Sequence, residues 1–419
     1  MRMPVKKRLS SNLTYLSVLL FAAATACTAP TEPTGPAPSA AILAAATVAS
    51  YRSTITINKD QVPNTDQRNF PVLISGTYAG PAGTLDLRTV GNGGRVQSPS
   101  GYDVGFYTNS NCSSGKMKWE TEKYTAATGE VAYWVLVPTV SHTINTVFYL
   151  CYGNAGITSN QAQPSSVWDS NYLTVWHLAD KGGLDLSNSA DTRYALTNSG
   201  QVSSAPGQIG GGTTKFLFRD STVDATGTHY SYDYLDNRQV SIAKNGAVTV
   251  SMWKNLSSAD HAASDGNRIS FSMGASHDAL NSMILWAPYF NSGAFWWYAG
   301  DGPGGYEPPG FIDYSTYFDR WVYITVLYNP SASRLKAIYL DGNLVGSTTN
   351  GSTTNGPTTG FRLGQAFEIG SPYGHGNDNS QFDEVRISKS ARSADWIRTE
   401  FNNQSNPGSF AAAGPEVIR

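Results

Sequence analysis

Short apolar runs broken by glycine and proline dominate this chain. It carries 41 Gly and 21 Pro in 419 residues. The backbone must therefore turn often, and many short strands meet that demand better than long helices. Tyr51–Asn58 (YRSTITIN) shows the pattern. Ile55 and Ile57 fall on one face and Thr54 and Thr56 on the other, as in a strand with one face buried. Phe70–Ile74 and Tyr102–Thr108 read as further strands. Val131–Val137 (VAYWVLV) and Thr146–Tyr152 (TVFYLCY) are apolar on both faces and read as central strands. Thr125–Glu130, with Gly129 near its end, is a natural turn. Six or more short strands at this spacing predict an antiparallel sandwich. The expected fold class is all-β, with two antiparallel β-sandwich domains.

Charge narrows the partners. Charged residues make up 14% of the chain, against about 25% in ordinary domains. The surface must be covered by Ser, Thr, Asn, Gln and Gly, as in many secreted β-proteins. The formal net charge is −2, with no long run of one sign. Nucleic acid is not an expected partner, since backbone binding needs clustered Lys and Arg.

The N-terminus carries an address. Arg2, Lys6, Lys7 and Arg8 precede a mostly apolar run, Leu16–Ala26, which ends in Ala24-Thr25-Ala26 just before Cys27. A basic segment, a short apolar segment and a small-residue cleavage site describe a secretory signal over residues 1–26. The run is too short to span a bilayer. Small residues followed by Cys27 also resemble the lipobox of bacterial lipoproteins, although Ala24 stands where Leu is common. That resemblance implies lipidation of Cys27 and a membrane contact only through the lipid. Ala24-x-Ala26 equally suits ordinary cleavage and free secretion. Residues 27–50, rich in Thr, Pro and Ala, read as a disordered tether. The expected location is outside the cytoplasm, in the cell envelope or secreted.

In an oxidising compartment the two remaining cysteines, Cys112 and Cys151, have one possible pairing. A bridge between them is expected.

Glu120 and Glu122 stand at alternate positions of Lys116–Lys123. Carboxylates so placed lie about 6 to 7 Å apart, near the separations that glycosidase pairs use. Lys116 and Lys118 share their face, so the expected reading is a solvated strand face of alternating charge.

The densest aromatic stretch is Met283–Trp321, where thirteen of 39 residues are Phe, Trp or Tyr against 12% overall. Two apolar runs flank a Gly/Pro loop that carries Asp301, Tyr306 and Glu307. Phe295 and Trp297 share one strand face; Trp296 shares the other with Ala294 and Tyr298. At least one Trp must therefore leave the core. Trp286, Trp296, Trp297, Tyr298 and Tyr306 are candidate stacking residues for a flat ligand such as a sugar. Asp301 and Glu307 are candidate hydrogen-bonding partners of its hydroxyls.

Two family resemblances follow from longer runs. YRSTITI, FPVLI, YDVGFY, KWETEKY, YWVLVP, FYLCYGN and VWDSNYLTVWHL together resemble a family of bacterial domains of unknown function that precedes laminin-G-like domains. This implies a first module over residues 51–166 and brings no activity. VWHL with DLS, VTVSMW, WVYITVLY, LKAIYLDGNLVG and FDEVRISKSARSADWIRTEF resemble a laminin-G-like, concanavalin-A-like jelly roll. This implies a second module over residues 167–410. In its closing helix, Ser393 is the expected cap, and Ile397 and Phe401 the expected packing residues.

Jelly-roll hydrolases carry Glu-x-Asp-x-x-Glu or Glu-x-Asp-x-Glu on one strand, and the second module has no such run. A ligand-binding module without catalysis is therefore expected, its partner an extracellular glycan or cell-surface ligand. A polysaccharide hydrolase or lyase using the same groove and a structural adhesion module are the alternatives. His177, mid-strand beside Val175 and Ala179, reads as a hydrogen-bonded structural residue. Asp383 is expected to share an inward face with Val385 and Ile387, which demands donors or a cation. With Asp378 it forms a candidate site for structural Ca2+; hydrogen bonds from loop amides to Asp383 are the alternative. Asp180, Asp185 and Asp191 form a second, oxygen-rich loop.

Overall fold

Ile55 and Ile57 are fully buried between half-exposed Thr54 and Thr56, so the alternation read in the sequence becomes a strand, β1 (Tyr51–Ile57). The computed structural model describes residues 49–224, 227–262, 268–274, 281–289, 294–300, 313–349, 354, 356–365 and 378–419. The side chains of residues 218–224, 227–231, 286, 289 and 294–300 lie outside that description. Residues 45–419 form one compact unit.

β1 is followed by β2 (Gln67–Thr77), β3 (Gly105–Tyr107), β4 (Trp119–Thr125), β5 (Glu130–Val140) and β6 (Thr146–Tyr152). The jelly roll then runs β7 (Tyr172–Trp176), β8 (Thr197–Ser199), β9 (Ser204–Ile209), β10 (Gly211–Thr213), β11 (Phe218–Asp224), β12 (Gly227–Tyr232), β13 (Tyr234–Ile242), β14 (Val248–Asn255), β15 (Ile269–Met273) and β16 (Ser282–Tyr289). It continues with β17 (Ala294–Gly300), β18 (Trp321–Asn329), β19 (Leu335–Leu340), β20 (Asn343–Thr348), β21 (Thr358–Leu363) and β22 (Gln381–Ser388). A last strand, β23 (Ala411–Ile418), follows a helix at Ala394–Ser405.

The jelly roll is two six-stranded antiparallel sheets, ordered β17-β16-β15-β21-β13-β8 and β20-β19-β18-β14-β22-β7. Trp176, Val250, Met252, Ile324, Phe361 and Val385 belong to its core. Asp341 and Gly342 both have positive φ (49° and 72°) between β19 and β20, as a tight two-residue hairpin requires.

The first sandwich pairs a three-stranded sheet, β2-β5-β4, with a four-stranded sheet, β23-β1-β6-β3. Residues beyond 410, outside both modules in the sequence reading, return to the first sandwich. β23 runs antiparallel to β1, from Ile57↔Ala411 to Tyr51↔Ile418. Trp168, Tyr172, Val175 and Trp396 join the core of this sandwich. The β2-β5-β4 sheet is thus covered on both faces, which explains why Val131–Val137 is apolar on both. Ser393 caps the closing helix by accepting from Trp396 N at 3.1 Å. Ile397 and Phe401 pack it on the second six-stranded sheet, against Leu327 and Tyr339 and beside Trp253. Asn403 of this helix accepts from Leu73 N at 2.7 Å and donates to Leu73 O at 3.0 Å, standing in for a neighbouring strand at the edge of β2.

Cys112 and Cys151 are bridged, with an S–S distance of 2.01 Å and 39 residues of sequence separation. A loop of this length is worth about 4 kcal/mol in the chain-entropy account. Replacing both cysteines by serine should lower the unfolding free energy by about 2–4 kcal/mol. An unchanged midpoint in urea would show that the bridge adds nothing to the fold.

Candidate functional site

The most concentrated chemistry among the described residues lies between the two sandwiches. β4 brings Glu120 and Glu122 there, and the turn after β7 brings His177. β22 supplies Asp383, Glu384 and Arg386, and the closing helix supplies Glu400. All seven are buried, none more than 4% exposed.

Local backbone geometry on β22 makes this convergence possible. Ser251 pairs with Arg386 and Trp253 with Asp383, so two residues, Glu384 and Val385, oppose Met252 alone. This is a β-bulge, and Glu384 sits in the left-handed region with φ 54°, a strained position for a residue with a side chain. The bulge resets the alternation. Phe382, Val385 and Ile387 point into the jelly-roll core, while Asp383, Glu384 and Arg386 face away from it. The expected grouping of Asp383 with Val385 and Ile387 is therefore corrected: the extra residue at Glu384 separates them.

Glu120 and Glu122 also depart from the expected solvated face. Lys116 and Lys118 are exposed, whereas both glutamates are 3% exposed, because the jelly roll covers this end of β4. The sequence did contain the signal. Glu120 pairs with Trp134 of β5 across the hairpin, and a strand that is apolar on both faces implies a covered neighbour.

Each acid has a defined environment. Glu120 accepts from Trp168 Nε1 at 2.9 Å and Ser189 Oγ at 2.5 Å. Glu122 Oε2 accepts from Trp134 Nε1 at 2.8 Å. His177 Nδ1 lies 2.6 Å from Glu384 Oε1, and its Nε2 lies 3.2 Å from Glu120 Oε2. This bears out the reading of His177 as a hydrogen-bonded residue. Arg386 reaches Glu384 Oε2 at 2.6 Å and Glu400 Oε1 at 2.7 Å. Its guanidinium lies over Trp134 and Trp168, 4.3 and 4.9 Å from the ring centroids. Asp383 Oδ2 accepts from Ile209 N, at the end of β9, at 2.8 Å.

Protonation follows from these surroundings. Burial would pull the His177 imidazole down, but Glu384, Glu120 and Glu122 hold it well above its usual value. Burial would raise Glu384, but His177 and Arg386 bring it below the ordinary range. Burial, then the charge of Glu384, pushes Glu122 up to about 8. Burial, then Glu384 and Glu122, raises Asp383 well above the usual aspartate value. The shifts run in opposite senses: His177 is held toward its charged form and Glu384 toward its ionised form, while Glu122 and Asp383 are pushed toward the protonated form.

The other expected site residues are dispersed. Asp378 is ion-paired with buried Lys254 at 2.6 Å and accepts from Ser380 Oγ at 2.5 Å. Asp180, Asp185 and Asp191 each serve a local turn, to Gly182 N, Ser187 N and Arg193 N respectively. Trp286 is in β16, and Trp296, Trp297 and Tyr298 are in β17, the edge strand of its sheet. Cys27, Asp301, Tyr306 and Glu307 lie outside the described residues.

This fold and its sequence agree with known proteins over the jelly roll. Residues 227–398 match a laminin-G family model described as the concanavalin A-like lectin/glucanases superfamily. No curated protein matches the chain. Among solved structures, the chain is similar to the binding domain of Paraclostridial mosquitocidal protein 1, at 13% identity and a TM-score of 0.38, covering 55% of this chain and 52% of that one. It is similar to the botulinum neurotoxin serotype D ligand-binding domain solved with N-acetylneuraminic acid, at 15% identity and TM-score 0.40, covering 57% and 53%. It is also similar to domain 4 of an extracellular GH43 arabinanase from Geobacillus stearothermophilus solved with arabinotriose, at 16% identity and TM-score 0.36, covering 55% and 98%. The chain spans about half the length of the first of these structures.

Arg386→Met should cost about 3–5 kcal/mol, because it strands buried Glu400 without its cation and leaves Glu384 to His177 alone. The deficit should shrink as pH falls and Glu384, no longer held down by Arg386, takes up a proton. A urea midpoint equal to wild type at neutral pH would mean that Arg386 is not the counter-charge.

Proposed function

We propose that this is an exported envelope protein whose jelly roll binds an extracellular glycan through the aromatic edge formed by β16 and β17. The observation that carries this reading is the register of the edge hairpin. Trp286 stands opposite Trp296, and Leu285 opposite Trp297. Directly opposed residues share a sheet face. Leu285 is buried in the jelly-roll core, so positions 286 and 296 belong to the other face. Two indole positions side by side on that face of a sheet edge suit stacking on sugar rings. The match of residues 227–398 to a lectin and glucanase superfamily supports the same class of ligand.

The buried carboxylates argue against glycan cleavage at the sandwich interface. Glu120, Glu122, Asp383 and Glu384 are at most 3% exposed, and a polysaccharide has no access to them. The basic, apolar and small-residue series ending at Cys27 supports export, with lipidation of that cysteine as the mode of attachment.

A glycan array on the mature protein identifies the ligand, and titration calorimetry then compares variants. Trp286→Ala and Trp296→Ala should each weaken binding about tenfold, on the order of 1.4 kcal/mol, without lowering Tm. Binding unchanged by both substitutions would remove the edge hairpin from the site. Release of reducing sugar from any bound glycan would replace the binding reading with an enzymatic one.

A further inference from the structure

We propose that Glu122, His177 and Glu384 form a binding site for one divalent cation of the zinc class, built where the two sandwiches meet. One ligating atom from each of the three lies within 4.8 Å of the others. One imidazole nitrogen with two carboxylate oxygens is a donor set that suits zinc.

Neighbouring donors hold both glutamates in place around the imidazole. His177 Nε2 lies 3.2 Å from Glu120 Oε2 without making a hydrogen bond, and Nδ1 is turned to Glu384 and Glu122. Glu120 is itself fixed by Trp168 and Ser189. Glu384 gives Oε2 to Arg386 and keeps Oε1 beside the imidazole. Glu122 Oε2 accepts from Trp134 and is the oxygen 3.6 Å from His177 Nδ1, while its buried Oε1 has no hydrogen-bond partner. Acids held by outer donors in this way are how protein metal sites orient their ligands.

Independent support comes from a fourth acid. Asp383 is fully buried beside the cluster, and its Oδ1 also lacks a partner. A proton on either unpartnered oxygen would have no acceptor there, and a buried unsatisfied donor is costly. A cation satisfies oxygens that a proton does not. The roof over these atoms is the β9–β10 hairpin. A Cβ at Gly210 would lie 1.9 Å from Glu122 Oε1, and one at Gly207 2.8 Å from Asp383 Oδ2. The glycines thus let the backbone close directly over the acids. On binding, whatever protons these ligands carry leave to solvent and the ion takes their place.

The test uses the mature full chain, stripped with chelator, reloaded with Zn2+ and dialysed. Elemental analysis should find about one zinc per chain, and Tm should rise by at least about 5 °C on loading. Glu122→Gln keeps the shape and the acceptor for Trp134, and should bind zinc at least tenfold more weakly. X-ray absorption on the loaded wild type gives a readout that needs no variant; it should show one nitrogen and otherwise oxygen neighbours. Zinc retained by Glu122→Gln at wild-type affinity, a zinc shell without nitrogen, or no zinc retained by wild type would each overturn the assignment. So would Ca2+ displacing Zn2+ at equal concentration.

Discussion

Arg386 is the residue on which the arrangement of the two sandwiches depends. Its guanidinium lies over two indoles of the first sandwich and its junction, Trp134 and Trp168. It pairs with Glu384 on its own strand and with Glu400 on the closing helix. One side chain therefore ties together β5, the start of the jelly roll, β22 and the helix. Burying such a charge is expensive and only tight pairing offsets the loss of water. The geometry that satisfies Arg386, with two carboxylates and two ring faces, is specific to a single relative placement of the packed elements. An apolar interface of the same area would tolerate sliding more readily.

The same interface explains the division of labour within the jelly roll. The sheet containing β14 and β22 is covered by the helix and by the first sandwich, with Trp253 donating to Gln404. Its polar residues are spent on internal contacts. The other sheet ends in β16 and β17, remote in order from β8, and that edge carries the aromatic positions proposed for glycan stacking. Fastening on one sheet leaves recognition to the other. β23 completes the fastening, since it follows the helix back to pair with β1, and Tyr152 Oη donates to Glu416 at 2.6 Å. The first and last described strands thus share one sheet.

Local rules carried much of this fold. Alternation at Ile55 and Ile57, the Asp341-Gly342 turn, the Ser393 cap and the Cys112–Cys151 pairing depend on residues near in sequence or on a single possible partner. The site at the interface was hidden because its partners are distant: His177 meets Glu384 across 207 residues. Alternation says that Glu120 and Glu122 share a face, but not what covers it. The bulge at Glu384 shifted the face assignment of Asp383, and FDEVRIS gives no glycine or proline to announce it. Trp286 and Trp296 were legible as aromatic positions, and the register of β16 with β17 adds their pairing.

If the buried cluster joins the sandwiches into one folding unit, neither can melt without the other. Differential scanning calorimetry of residues 45–419 tests this directly. The account predicts one transition whose calorimetric and van't Hoff enthalpies agree. Two resolved transitions, with one sandwich unfolding while the other stays intact, would contradict it.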